Sequence, residues 1–180
     1  MKILITGFSA FLTHKENPSE MLVKELAGSD IETLILPVSY YKAKDLLLAA
    51  IREKQPDLIV SFGLASGREG ITIEKYAYNE MKASLADEDG VKMNGEPVSF
   101  FLRDRFETAI PLEPLVKELK KDGHSVKIST DPGRFCCNEV YYLALRSGLP
   151  ALFVHLPELE KTPLDEDVSF AKDLLTLLKR

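Results

Sequence analysis

The order of elements along these 180 residues predicts an α/β fold, a single-domain three-layer αβα sandwich around a twisted, mostly parallel central sheet. Three observations carry that expectation. Short runs rich in Ile, Leu and Val recur at residues 2–6, 31–38, 57–62, 126–129 and 151–155. Stretches with helical spacing of apolar residues lie between them, and glycine or proline marks most boundaries.

Taken in order, residues 2–6 read as a buried strand broken by Gly7. Pro18 sits where a first helical turn begins, with Asn17 as its N-cap and Met21, Leu22 and Leu26 as its stripe. A second strand covers residues 31–38, and residues 41–53 form a helix with Ala43, Leu47, Ala50 and Ile51 on one face. Pro56 ends that pattern, and residues 57–62 are a third strand bounded by Gly63. Residues 71–78 read as an extra strand outside the alternation. Periodicity is weak from 81 to 106, which predicts a long loop or partly mobile flap. The alternation resumes with a helix at 112–121 closed by Gly123, a strand at 126–129 and a helix at 135–146. A strand at 151–155 and a last helix at about 165–178 complete the chain. Asp165, Glu166 and Asp167 at the start of that helix, and Lys179 and Arg180 at its end, suit the helix dipole.

The chain is of ordinary size for one domain, residues 1–180, with a core that needs no disulfide or metal. A net charge of -5 without a basic, aromatic-interleaved run argues against nucleic acid as a partner. No apolar run reaches the ~20 residues a bilayer span requires, so no membrane role is expected. No secretory signal is visible, and the expected location is cytoplasmic. Cys136 and Cys137 are adjacent and poorly placed to bridge each other, so they read as two thiols in a reducing compartment.

Ligands of open α/β sheets gather at the carboxyl ends of strands, which selects residues 7–17, 63–79, 130–138 and 155–157. Cys137 follows DPGRFC and falls in a first helical turn, where unpaired N–H groups favour a thiolate and can bind an oxyanion. The alternative is a small buried apolar side chain. His155 ends an apolar strand, where a histidine can act as a base or be a hydrogen-bonded structural residue. Glu74 shares a strand face with Thr72; it is either the acceptor for an imidazole or a solvated charge paired with Lys75. His14 and His124 look like loop residues. No spacing matches a metal site or a phosphate-binding loop, so neither a metal nor another cofactor is expected. Phe8, Phe11 and Phe135 line a pocket or belong to the core.

Four blocks together resemble the pyroglutamyl peptidase I family, the pyrrolidone-carboxylate peptidases. They are ITGFSAFLTHKENPS, GLASGREGITIEKYAYN, STDPGRFCCNEVYY and ALFVHLP, in the family's order and spanning residues 1 to about 157. The resemblance implies a cysteine exopeptidase that hydrolyses the amide after an N-terminal pyroglutamyl residue of a peptide. It implies Cys137 as nucleophile, chosen over Cys136 because only Cys137 precedes Asn, His155 as base, and Glu74 as the residue orienting the histidine. Phe8, Phe11 and Phe135 match aromatic positions around the pyrrolidone ring, and Asn17 a polar substrate contact. The family is often tetrameric, which implies a homo-oligomer, dimer or tetramer. This chain departs from the family pattern at Ala10, Ser66 and Tyr76, and at Ser84, where the family carries an arginine that supports the oxyanion region. Lys82 is the nearest substitute cation, and the C-terminal part is short for the family. Two alternatives stay open: a catalytically impaired relative acting as a ligand-binding module, and an α/β hydrolase with another substrate.

Overall fold

The computed structural model describes residues 1–11, 16–26, 28, 30–100 and 103–180. The described strands are β1 (Ile3–Phe8), β2 (Ile31–Leu36), β3 (Leu58–Leu64), β4 (Ile71–Glu74), β5 (Tyr76–Tyr78), β6 (Met81–Lys82), β7 (Asn94–Glu96), β8 (Arg105–Glu107), β9 (Val126–Ser129) and β10 (Ala151–Leu156). The helices are α1 (Pro18–Glu25), α2 (Tyr40–Lys54), α3 (Leu112–Lys121), α4 (Cys136–Arg146) and α5 (Leu164–Leu178). Six strands make the central sheet in the order β2-β1-β3-β10-β4-β9. β2, β1, β3 and β10 are mutually parallel; β4 pairs antiparallel with β10 and parallel with β9.

Alternation along the strands sorts the core into two layers. On one face Ile3, Ile5, Val60, Ile73 and Val154 pack with Leu22 of α1, Leu119 of α3 and Phe170 and Leu174 of α5. On the other, Leu4, Ile59 and Phe153 pack with Ala43 and Leu47 of α2 and Val140, Tyr141 and Ala144 of α4. The three layers expected from the alternation are therefore present, with the added strand β4 reversing the direction of one edge.

Several local expectations change. Gly7 and Gly63 do not break their strands; β1 runs on to Phe8 and β3 to Leu64. Each glycine serves a close approach instead. A Cβ on Gly7 would sit 2.4 Å from the Ser19 carbonyl oxygen, so α1 lies directly on β1. Residues 71–78 form two strands in different sheets, because Lys75 hands the chain from the central sheet to the pair β5–β8. Within the weakly periodic stretch, the described residues 81–100 carry strand pairing. β6 pairs with β7, and buried Asp87 accepts main-chain N–H bonds from Tyr40 at 3.0 Å, Asp89 at 3.0 Å and Val91 at 2.8 Å. One carboxylate thus satisfies three donors and ties the flap to the start of α2. Asn17 caps α1 as expected, accepting from Ser19 N at 3.0 Å, and Ser39 caps α2. His14 lies outside the described residues; His124 is held by Asp173 at 2.8 Å.

Asp167 is fully buried in the first turn of α5, and neither oxygen has a hydrogen-bond partner among the described residues. Burial, with a smaller contribution from Glu166, raises its pKa to about 7. An unfolded Asp ionises near 3.9, so between roughly pH 4 and 7 the folded state holds a proton that the unfolded state has lost. Stability contributed by that proton is present below about pH 4 and is lost as pH rises to about 7, an effect on the order of a few kcal/mol. Asp167→Asn is expected to flatten the fall in melting temperature between pH 4 and 8. Parallel Tm–pH curves for the two proteins would contradict this.

Candidate active site

Glu74 ends β4 with its side chain fully buried, its Oε1 atom 2.7 Å from His155 Nδ1. β4 is short, but its antiparallel register puts Thr72 opposite His155, so Thr72, Glu74 and His155 project to the same side of the sheet. The solvated-charge reading of Glu74 is thereby excluded; Lys75 pairs with Glu107 instead. Arg68 Nη1 reaches the same Glu74 oxygen at 2.6 Å and also bonds Thr72 Oγ1. Tyr141 of α4 donates its hydroxyl to the Glu74 main-chain oxygen at 2.9 Å.

Cys137 arrives from the other direction. β9 runs against β10, so the chain leaves Ser129 beside Glu74 and must turn back through residues 130–135 before α4 begins. The carboxyl-end rule therefore does not place this loop; the return of the loop does. α4 then starts at Cys136, with Phe135 as an N-cap that provides no side-chain bond. Asn138 N and Glu139 N bond back to Phe135 O at 3.0 and 3.3 Å, which leaves the N–H groups of Cys136 and Cys137 unengaged by other main-chain groups among the described residues. The Cys137 sulfur lies directly over Gly63: a Cβ there would be 2.9 Å from Sγ and 2.9 Å from the Phe153 ring. Gly63 is the β3 residue paired with His155, so thiol and imidazole share one corner of the sheet. Asn138 locks this corner, accepting from Tyr78 N at 2.8 Å and donating to Tyr78 O and Glu80 O at 2.8 and 2.9 Å.

The electrostatics differ from a simple helix-dipole expectation. Burial, aided by the Glu74 carboxylate, pushes the Cys137 pKa up to about 12, against the pull of Arg68 and of its own backbone N–H. Burial also lowers the His155 pKa, opposed by Glu74 and reinforced by Arg68. Burial works to raise the Glu74 pKa, but the bond and charge of His155, Ser129 and Arg68 outweigh it and hold the carboxyl below its ordinary value. These shifts favour a neutral thiol, a neutral imidazole and an ionised carboxylate. A carboxylate only accepts, so His155 carries its proton on Nδ1 and presents the Nε2 lone pair.

Beside the half-buried thiol is a cavity of about 180 Å³. Phe8, Phe11, Asn17 and Phe135 line it, joined by Val38, Leu64 and the flap residue Leu85. Tyr40 meets the Phe135 ring edge-on at 5.4 Å and fixes that wall. Asn17 uses its Oδ1 on Ser19 and one Nδ2–H on Ser9 O at 3.1 Å, so capping and cavity lining share one side chain. Cys136 also touches the cavity, but it is buried and its pKa is pushed far up by burial, which suits a packing role. A larger apolar groove of about 480 Å³ between Leu58, Ile110, Leu115 and Leu178 has no cysteine or histidine in its lining. Ser84 is exposed on the flap, and Lys82 contributes its main-chain N–H to Arg134 O at 2.8 Å. The guanidinium that reaches Glu74 is that of Arg68, which the sequence did not single out: an arginine in a glycine-bordered charged loop looks like a solvated residue. No group of three or more potential metal ligands occurs among the described residues.

A fold of this kind with a cysteine, a histidine and a carboxylate at one sheet corner defines a thiol hydrolase class, and comparison with known proteins narrows it. The family model described as pyroglutamyl peptidase matches residues 1–169, and the chain belongs to that family. The pyrrolidone-carboxylate peptidase of Oceanobacillus iheyensis is 36% identical over 186 residues, covering 96% of this chain and 93% of the relative. That of Pyrococcus furiosus is 34% identical over 177 residues, covering 92% and 85%. The crystal structure of pyrrolidone carboxyl peptidase from Fervidobacterium islandicum AW-1 superposes with a TM-score of 0.92 at 32% identity, covering 99% of this chain and 98% of that one.

The close seat of the sulfur on Gly63 makes a specific prediction. Gly63→Ala forces the thiol or the Phe153 ring to move, and overpacking of this kind costs about 1–3 kcal/mol. The variant is expected to melt several degrees lower and to change the iodoacetamide reactivity of Cys137, measured in a Cys136→Ser background. Unchanged stability and unchanged alkylation would show that the contact is slack.

Proposed function

We propose that this chain hydrolyses the amide bond after an N-terminal pyroglutamyl residue, with Cys137 as nucleophile, His155 as general base and acid, and Glu74 as the orienting carboxylate. The single observation that most supports this reading is the buried Glu74–His155 bond, held beside a thiol at a helix N-terminus and an aromatic-walled cavity.

Burial raises the Cys137 pKa and lowers that of His155, which suits proton transfer concerted with attack. His155 Nε2 takes the Cys137 proton as sulfur approaches the pyroglutamyl carbonyl, and Glu74 stabilises the imidazolium that results. The Cys136 and Cys137 N–H groups, which no main-chain acceptor takes among the described residues, are the candidate donors for the oxyanion, each such donor being worth roughly 3–4 kcal/mol. His155 returns its proton to the leaving amine, and water, deprotonated by the same nitrogen, then cleaves the thioester.

Pyroglutamate is flat, small and uncharged, so shape and desolvation must select it. A cavity of about 180 Å³ walled by Phe8, Phe11 and Phe135 suits one lactam ring rather than a longer side chain. A lactam N–H or C=O buried there without a partner would cost about 1–3 kcal/mol. The second Nδ2–H of Asn17, on the cavity wall, is a candidate partner. No described helix is long and apolar enough to cross a membrane. We place the enzyme in the cytoplasm, acting on free peptides and assembled as a homo-oligomer.

Cys137→Ser is expected to abolish release of aminocoumarin from a pyroglutamyl-aminocoumarin substrate, while Cys136→Ser retains most activity. Glu74→Gln is expected to lower kcat by roughly 10²–10⁴-fold with a small change in KM, because the amide can hold the wrong imidazole tautomer. Equal losses in the two cysteine variants would remove the assignment of the nucleophile.

A further inference from the structure

The geometry points to Arg68 as a positioning residue for the reaction: one guanidinium that holds the Glu74 carboxylate to its task and couples it to the loop that delivers Cys137. The inference rests on the peptidase reading above and adds a residue to it.

Two contacts place Arg68 in this role. Its Nη1 shares Glu74 Oε1 with His155, at 2.6 Å against 2.7 Å for the imidazole. Its Nη2 donates to the main-chain oxygen of Asp131 at 2.9 Å, on the loop between β9 and α4. The planar fork therefore bridges a strand end and the nucleophile loop, a geometry that the single ammonium of a lysine does not reproduce. Glu74 also needs it: the carboxylate is fully buried, and its Oε2 has no hydrogen-bond partner among the described residues. The other side-chain groups that favour its charge, the His155 imidazole, Ser129 and a weak 3.5 Å contact to Thr72, are neutral, and an anion in that position is expensive to keep without a cation.

The same charge acts on the reacting pair. A cation near Cys137 favours thiolate and eases loss of its proton, whereas the same cation beside His155 disfavours imidazolium and opposes uptake of that proton; the two effects offset, so the main contribution of Arg68 is its hold on Glu74. The charged and titratable groups around this corner are few. β4 supplies Glu74, and β10 supplies His155. α4 supplies Cys137 and Tyr141, the latter bonded to the Glu74 main chain. The β9–α4 loop supplies Asp131, which is paired with Arg134. On the outer side, Lys161 is paired with Glu69 and also reaches Arg68 O at 3.4 Å. Among these cations, Arg68 is the one that reaches the Glu74 carboxylate.

The test compares wild type, Arg68→Gln and Arg68→Lys, each with a melting curve. kcat and kcat/KM for pyroglutamyl-aminocoumarin are followed from pH 5 to 9, and Cys137 alkylation at pH 8 is followed in a Cys136→Ser background. In Arg68→Gln, kcat is expected to fall about 10–100-fold with KM within about threefold. Its acid limb should move up by roughly half to one pH unit, because His155 now binds its proton more readily. Alkylation should slow several-fold. Arg68→Lys should restore the acid limb but only part of kcat, since its charge is kept and its bridge to Asp131 is lost. A uniform loss across pH with an unmoved limb and unchanged alkylation, or a full recovery of kcat in Arg68→Lys, overturns the inference. Wild type failing to cleave the substrate would instead overturn the peptidase reading, and the alkylation arm would still report on Arg68.

Discussion

A carboxylate buried in the sheet interior is the feature on which the rest of the site depends. Glu74 has no exposed surface, and burial alone would drive it to its neutral form. Its ionisation survives because His155 Nδ1 and Arg68 Nη1 meet at one of its oxygens. That bond fixes which imidazole nitrogen carries the proton, and hence which nitrogen can act as a base. The cost of the buried anion is offset by the bonds from His155 and Arg68, with a contribution from Ser129, and in return the imidazole is held in one tautomer.

The fold supplies this arrangement through one reversal in an otherwise parallel sheet. β4 lies antiparallel to β10, so Glu74 approaches His155 across a strand pair instead of from a loop. β9 follows β4 in direction, and the six residues from 130 to 135 carry the chain back so that α4 opens over Gly63. Because Gly63 has no side chain, sulfur can rest against β3 next to the strand position of His155. Asn138 pins the start of α4 to the flap strands, and Asp87 pins the flap to α2. The cavity walls are thus held by buried polar bonds as well as by apolar contact.

Much of this was legible in the sequence. Hydrophobic runs and helical stripes placed the sheet strands and the five described helices to within a few residues. Asn17 before Pro18 announced the first helix, and CN after the DPGRFC segment and HLP at a strand end belong to the two segments that meet at the sheet corner. Other features needed tertiary pairing. A lone Glu in a four-residue strand has the pattern of a half-solvated position, and only the antiparallel register with β10 encloses it. Gly7 and Gly63 look like strand breakers when the helix that crowds each one is not visible. The flap has little periodicity because its order comes from one aspartate taking three main-chain donors, a pattern without a repeat. The helix N-terminus suggested a thiolate at Cys137, yet desolvation is a property of the packed site and acts the other way.

Nitrogen NMR of His155 in the substrate-free protein addresses the central physical claim directly. At pH 7 the ring is expected to be neutral, with the proton on Nδ1 in a strong bond to a carboxylate and Nε2 unprotonated. A ring protonated on both nitrogens at that pH, or one carrying its proton on Nε2, would contradict the charge arrangement described for Glu74, His155 and Cys137.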